Sequence, residues 1–202
     1  MGQYRGRDGG YLREEFRHAI LSFVGVKSQL GQPQSANLHQ RVERLFRGHI
    51  DAVFNVAYRV LWNRADAEDA VQAAFVKAFT RIDQLADAER ERPWLLQIAY
   101  REAIAIVRRR RALPVDPSEL PEMVDQRSPE DSAVSGEVVR MINAALLELQ
   151  EQERMAVVLR DIEELSMAQV AEVLDIGLSA AKMRVHRGRQ SLRLILEKAE
   201  VR

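Results

Sequence analysis

Residues 165–196 read LSMAQVAEVLDIGLSAAKMRVHRGRQSLRLIL, and within them Lys182, Arg184, His186, Arg187 and Arg189 crowd basic groups into about two helical turns. Ammonium and guanidinium groups at that density bind anions, and a guanidinium can also give two parallel hydrogen bonds to a guanine edge. The charge is local. Residues 178–202 hold seven Lys or Arg against two Glu, whereas the whole chain of 202 residues balances 30 against 30. A merely solvated helical hairpin is the plainer reading of one basic helix. A cationic face on a neutral molecule favours a designated anion-binding surface instead.

Such a face needs a frame that presents it. Ser166 followed by Gln169 fits a capping box, so a helix is expected to start there. Val170, Ala171 and Leu174 recur at helical spacing, and Asp175-Ile176-Gly177 interrupts them with residues that tolerate turn geometry. A second periodic run puts Ala181, Val185 and Leu192 on the apolar side and the cations on the others. Two short helices around a tight turn, with small residues where they cross, make a helix-turn-helix, which lays its second helix in the major groove.

Composition bounds the rest. The 47% hydrophobic and 30% charged residues fit a globular chain with one large or two small cores, and two is the preferred reading. Net neutrality gives the molecule little long-range attraction to nucleic acid, so tight DNA binding must be conditional. The absence of cysteine excludes disulfides, thiol catalysis and cysteine-ligated zinc, and is compatible with a reducing cytosol. No run approaches the roughly 18 apolar residues of a spanning helix. The apolar segment 19–26 follows Glu14 and Glu15 and lacks a signal-peptide pattern, so a cytoplasmic location without membrane insertion is expected. His18, His39, His49 and His186 show no metal-ligand spacing, no Gly-rich phosphate loop is visible, and no nucleophile has an evident base. Asp66, Glu68 and Asp69 are explained more simply by helix capping than by a metal. No catalytic residue, metal or cofactor is therefore expected, and the chain is not read as an enzyme.

Upstream, Val42, Leu45, Phe46, Ile50, Val53, Phe54, Ala57, Val60 and Leu61 form an apolar stripe that predicts a helix ending near Trp62-Asn63. Asp66 is the expected cap of a second helix, whose core face is Ala70, Val71, Ala74, Phe75, Ala78, Phe79 and Ile82. Pro93 suits the first position of a third, which carries Trp94, Leu95, Ile98, Ala99 and Val107 and ends in Arg108, Arg109, Arg110 and Arg111. Cations suit a helix C-terminus, but four in succession exceed that need. Four of the 6 prolines then fall within 114–129 among Asp116, Glu119, Glu122 and Asp125, which reads as an acidic tether; an ordered loop across one domain and a mimic of nucleic acid inside a partner's basic channel are the alternatives. Beyond it, Ser128-Pro129 is an expected helix start, followed by Val138, Met141, Ile142, Ala145, Leu146 and Leu149. Another short helix is expected around Met155, Val158, Leu159 and Ile162. Of the first residues, 4–10 are Gly- and Arg-rich, and Leu12, Phe16, Ala19, Ile20 and Phe23 fit an amphipathic helix closed by Gly25. No strand alternation is sustained, so the fold class is all-α.

Two stretches together resemble a known family. DAEDAVQAAFVKAF (66–79), PWLLQIA (93–99) and RRRR (108–111) resemble region two of the extracytoplasmic-function RNA polymerase sigma factors of the sigma-70 superfamily. LRDIEELSMAQVAEVLDIGLSAAKMRVHRGRQSLR (159–193) resembles their region four. The resemblance implies two small helical domains, region two and a helix-turn-helix region four, on a flexible acidic linker. Their extents are 1–37 for an N-terminal extension, 38–112 for region two, 113–128 for the linker and 129–202 for region four. It implies core RNA polymerase and promoter DNA as partners, minus-ten recognition and melting by region two, minus-thirty-five recognition by region four, and an anti-sigma inhibitor. Asp69, Gln72 and Phe75 match the polymerase-contacting pattern, with Phe75 favoured as core. Ser179, Ala180, Lys182, Arg184, His186, Arg187 and Arg189 match the recognition helix, its earliest residues meeting bases and its later ones phosphates. For His186, helix packing and phosphate contact stand as equal readings. Residues 85–92 match the loop that captures a flipped base, and Arg108 to Arg111 would hold phosphates. Trp94 is either core or a stacking platform, core being favoured.

Three departures stand out: Arg101 and Ala105 occupy positions where the family commonly has Asn and Asp, and Asp175 replaces the turn glycine. The competing function is a conventional helix-turn-helix regulator whose N-terminal helices dimerise or bind a ligand.

Overall fold

The computed structural model describes residues 33–82, 85, 87–112 and 133–200. The N-terminal segment before Pro33, the acidic tether and the expected helix start at Ser128-Pro129 lie outside them. Among the described residues every regular element is helical. No helix there is long and apolar enough to cross a membrane.

The first group has three helices. α1, Pro33–Leu61, begins five residues before the expected boundary at Leu38, with Pro33 at a position where a missing N–H costs nothing. Its stripe buries Leu45, Phe46, Ile50, Val53, Phe54, Ala57 and Val60. The chain leaves it through Trp62 in the left-handed region, φ 51°, whose N–H bonds the Tyr58 carbonyl. α2, Arg64–Arg81, is capped by Asn63 and not by Asp66: the Asn63 side chain accepts from the Asp66 N–H at 3.0 Å. Asp66 instead sits in the first turn, paired with Arg110. α3, Glu91–Ala112, follows a short 3-10 turn, Ala88–Arg90, so Pro93 is its third residue and not its first. Phe46 and Phe75 pack ring against ring, centroids 4.8 Å apart, and Lys77–Glu102 at 2.6 Å ties α2 to α3.

The second group comprises α4, Ala133–Glu148; α5, Glu151–Val157; α6, Met167–Leu174; and α7, Leu178–Glu200. α5 runs on as a π-helical turn, Val158–Ile162, in which the Glu163 N–H reaches the Val158 carbonyl at 2.9 Å. Such a wide turn inserts one residue and re-aims the next side chains along the helix, here Glu163. α6 begins with the expected capping box: Gln169 N–H donates to Ser166 Oγ at 3.2 Å and Ser166 N–H to Gln169 Oε1 at 2.9 Å. Ala181 and Val185 of α7 are buried, as the apolar stripe requires.

The groups do not stand apart. α3 packs on α6 and α1 meets α5, and one hydrophobic cluster runs from Leu45 to Val185.

Gly188 explains how closely α7 lies on α5. A Cβ there would fall 2.6 Å from Val157 Cγ2 and 2.9 Å from the Glu153 carbonyl oxygen, and a backbone atom cannot swing aside. Gly188→Ala gains helix propensity but forces the helices apart, so a net destabilisation of about 1–2 kcal/mol is expected in denaturant unfolding. A second expectation concerns His49, half-buried in α1. Burial lowers its pKa and the Arg92 charge lowers it further, against smaller opposing effects of Glu91 and the Gly48 backbone. The unfolded chain therefore binds the proton more readily. Stability from this group is complete above about pH 6.5 and is lost as pH falls through the lowered value. Wild type should lose more stability than His49→Gln between neutral pH and that region when both are unfolded in urea.

Candidate nucleic-acid and polymerase interface

The basic residues of α7 divide by their place on the helix. Ser179, Ala180, Lys182, His186 and Arg187 are exposed, opposite buried Ala181, Val185 and Gly188. His186 is thus on the outer face, and the helix-packing reading of it does not hold. Arg184 is half-buried and close enough to α3 to act electrostatically on Tyr100. Arg189 is held by both oxygens of Asp161 on the π turn, with Nε at 3.0 Å, which fixes it one turn from the open cations.

Sequence reading passed over Met183. It lies between Lys182, His186 and Arg187 and leaves 53% of its surface in water. An exposed, unbranched apolar side chain amid cations has the chemistry to meet a thymine methyl. The signal was present, since position 183 falls off the apolar stripe of 181, 185 and 192.

At the far end of α3, Arg108 and Arg109 are exposed, Arg110 pairs with Asp66, and Arg111 lies in the last turn. Burial raises the Asp66 carboxyl above its ordinary pKa, although Arg110 opposes that. One of the four arginines is thus committed to holding α2 against α3. On α2, Asp69 and Gln72 are exposed and one turn apart, whereas Phe75 is buried against Phe46. The three do not form one surface: two point to solvent and the third supports the helix beneath. Trp94 is half-buried and packed on the core, as the core reading of it expected.

The largest omission from the sequence reading is a seam of charge between the helix groups. The Arg92 guanidinium meets the Glu163 carboxylate at 2.6 Å and also donates to the Glu163 carbonyl. Glu163 is 3% exposed and lies near Arg59 and Asn55. Burial raises its pKa, and the neighbouring Arg92 and Arg59 charges pull it back. Around this pair, Arg90 binds Glu172, Gln97 donates to the Glu172 carbonyl, and Arg101 meets Asp175 at 3.3 Å. Arg154 stacks over the Trp62 ring, 5.6 Å from its centroid. No spacing rule could pair residues some 70 to 80 positions apart.

Two helical groups, one ending in a helix-turn-helix with an exposed basic second helix, define a DNA-binding protein of the sigma type. Residues 45–113 match Sigma-70 region 2 and residues 140–192 match Sigma-70, region 4. Among similar proteins, the ECF RNA polymerase sigma factor SigW of Bacillus subtilis is 32% identical over 153 residues, 71% of this chain and 82% of that one. SigE of Mycolicibacterium smegmatis is 35% identical over 161 residues, 77% of this chain and 62% of that one. The fold resembles the sigma factor RpoE solved with the anti-sigma factor NepR from Bartonella quintana, with TM-score 0.65 and 22% identity over 75% of this chain and 94% of that one. It also resembles CnrH solved with the cytosolic domain of CnrY, with TM-score 0.57 and 22% identity over 89% and 98% of the two chains. The chain belongs to the extracytoplasmic-function RNA polymerase sigma factors of the sigma-70 family.

Asp175 ends α6 in the left-handed conformation, φ 56° and ψ 50°, where a glycine bears no steric cost. Its carboxylate is 81% exposed, so the pair with Arg101 offsets little of that strain. Asp175→Gly is expected to raise unfolding stability by up to about 1 kcal/mol, read as a higher denaturant midpoint.

Proposed function

We propose that this sigma factor docks on core RNA polymerase through the exposed side of α2 around Asp69 and Gln72 and reads the minus-thirty-five element with α7. Minus-ten recognition and strand capture then fall to α3 and residues 85–92. The observation that carries this reading is the split of α7 into a buried small-residue face and an open face of Ser179, Ala180, Lys182, Met183, His186 and Arg187. Residues near the start of α7 reach base edges and the later cations reach phosphates. Arg108, Arg109 and Arg111 supply charge to the backbone of the opened DNA. Residues 38–112 act as region two and 129–202 as region four, joined by the tether 113–128. The protein carries out no reaction of its own and works in the cytoplasm beside the polymerase. Because one structural relative was solved with the anti-sigma factor NepR and another with the cytosolic domain of CnrY, an anti-sigma inhibitor is the expected regulator.

Run-off transcription with purified core polymerase is the test. Lys182→Glu together with Arg187→Glu should cut promoter-directed transcript by at least about tenfold while leaving polymerase binding intact. Asp69→Arg should weaken polymerase binding and leave the isolated chain's folding unchanged. Tight, polymerase-independent promoter binding by the wild-type chain would contradict this assignment.

A further inference from the structure

The loop to which base capture is assigned above is shaped from within only in pieces. Leu85 N–H donates to the Ile82 carbonyl at 3.0 Å, Glu89 N–H to Asp87 Oδ1 at 2.9 Å, and Arg90 N–H to the Asp87 carbonyl at 3.2 Å. Each bond closes a turn of two or three residues, so together they shape the two halves of the loop and leave the angle between the halves free. Among the described residues, the contact that spans both halves comes from α1. Arg41 donates from Nη2 to the Leu85 carbonyl, and its Nε lies 3.8 Å from the Glu91 carboxylate. One guanidinium thus holds the loop just after it leaves α2 and again where α3 begins. His49, two turns further along the same row of α1, is close enough to Glu91 and Arg92 to feel both charges, so that face of α1 runs beneath the second end of the loop.

A base taken out of the stack gives up its pairing and stacking, and a receptor that must be ordered at the same moment loses binding to backbone freedom as well. A receptor fixed beforehand does not. Charge makes a second demand. Residues 83–91 carry Asp83, Asp87, Glu89 and Glu91 against Arg90 alone, so the phosphates of an approaching strand repel the loop. Leu85 is buried while Asp87, Glu89 and Arg90 are exposed, which makes an anchored foot beneath an acidic tip. Arg41 sits at that foot, half-buried, where its charge attracts the loop and its fork meets two partners at once.

We propose that Arg41 is a positioning residue for strand opening: it fixes residues 85–91 as a preformed receptor for the flipped base and touches no DNA itself. This role rests on the assignment of residues 85–92 to base capture.

The test uses the full chain bound to core polymerase. The probe is fork-junction DNA from a promoter selected with the wild-type holoenzyme, with each non-template minus-ten nucleotide made abasic in turn. For wild type, one abasic position should cost the most affinity and so mark the captured base. Arg41→Met keeps the apolar stem and removes both contacts. It should bind the intact fork about tenfold more weakly than wild type, and the fork abasic at the marked position equally well within about twofold. The slope of log affinity against log salt should not change, because Arg41 meets no phosphate. Urea unfolding of the free variants and their binding to core polymerase without DNA check fold and docking. Should Arg41→Met unfold early, Arg41→Lys carries the same cycle, since it keeps the charge and loses only the fork. Equal loss on intact and abasic forks, or no loss on either, would overturn the positioning role. A salt slope shallower by about one would overturn it as well, by making Arg41 a phosphate contact. In each of these cases base capture still stands so long as wild type responds to an abasic site. Indifference of wild type at every position would remove base capture, and the positioning role with it.

Discussion

A carboxylate withdrawn from water must be compensated where it lies, and Glu163 is compensated from the other half of the chain. Its own segment, the π turn at the end of α5, brings it to the surface of the second group, and Arg92 with Arg59 comes from the first. A buried charge left unpaired costs several kcal/mol, so whatever separates the groups must rehydrate both partners. The fold tolerates this because each group keeps its own interior: Phe46 against Phe75 in one, Gly188 against Glu153 and Val157 in the other. The junction adds to these interiors a shared apolar cluster and a buried ion pair.

Much of this architecture was written locally. The capping box at Ser166, the stripe of α1 and the small residues of α7 arise from interactions within a few positions, and each appears as the periodicity implies. Local rules erred where two residue types compete for one task. Asn63 and Asp66 can both cap α2, and the long-range pull of Arg110 decides that Asp66 serves as an ion-pair partner. Pro93 has the chemistry of a first helical residue, but the 3-10 turn ahead of it lets α3 begin at Glu91.

The candidate site was legible as a set of types and not as a set of roles. Asp69, Gln72 and Phe75 share a motif, yet the helix turns two outward and one inward. Of the arginines at the end of α3 and along α7, Arg110 and Arg189 are engaged by Asp66 and Asp161 and serve the packing of their own groups. Met183 escaped notice because an apolar residue in a basic helix is read first as core. The seam at Arg90, Arg92 and Arg101 escaped because its partners are joined only by tertiary structure.

Net neutrality takes on a different meaning once the pairing is seen. Equal totals of 30 and 30 could describe charges scattered without order, but here acids of one domain face bases of the other. Coulombic attraction to DNA depends on unpaired cations, and a cation already facing a carboxylate contributes little at distances beyond the roughly 10 Å screening length. The packed chain thus leaves the outer face of α7 and the end of α3 as open basic surfaces, while Arg90, Arg92 and Arg101 face carboxylates of the second group.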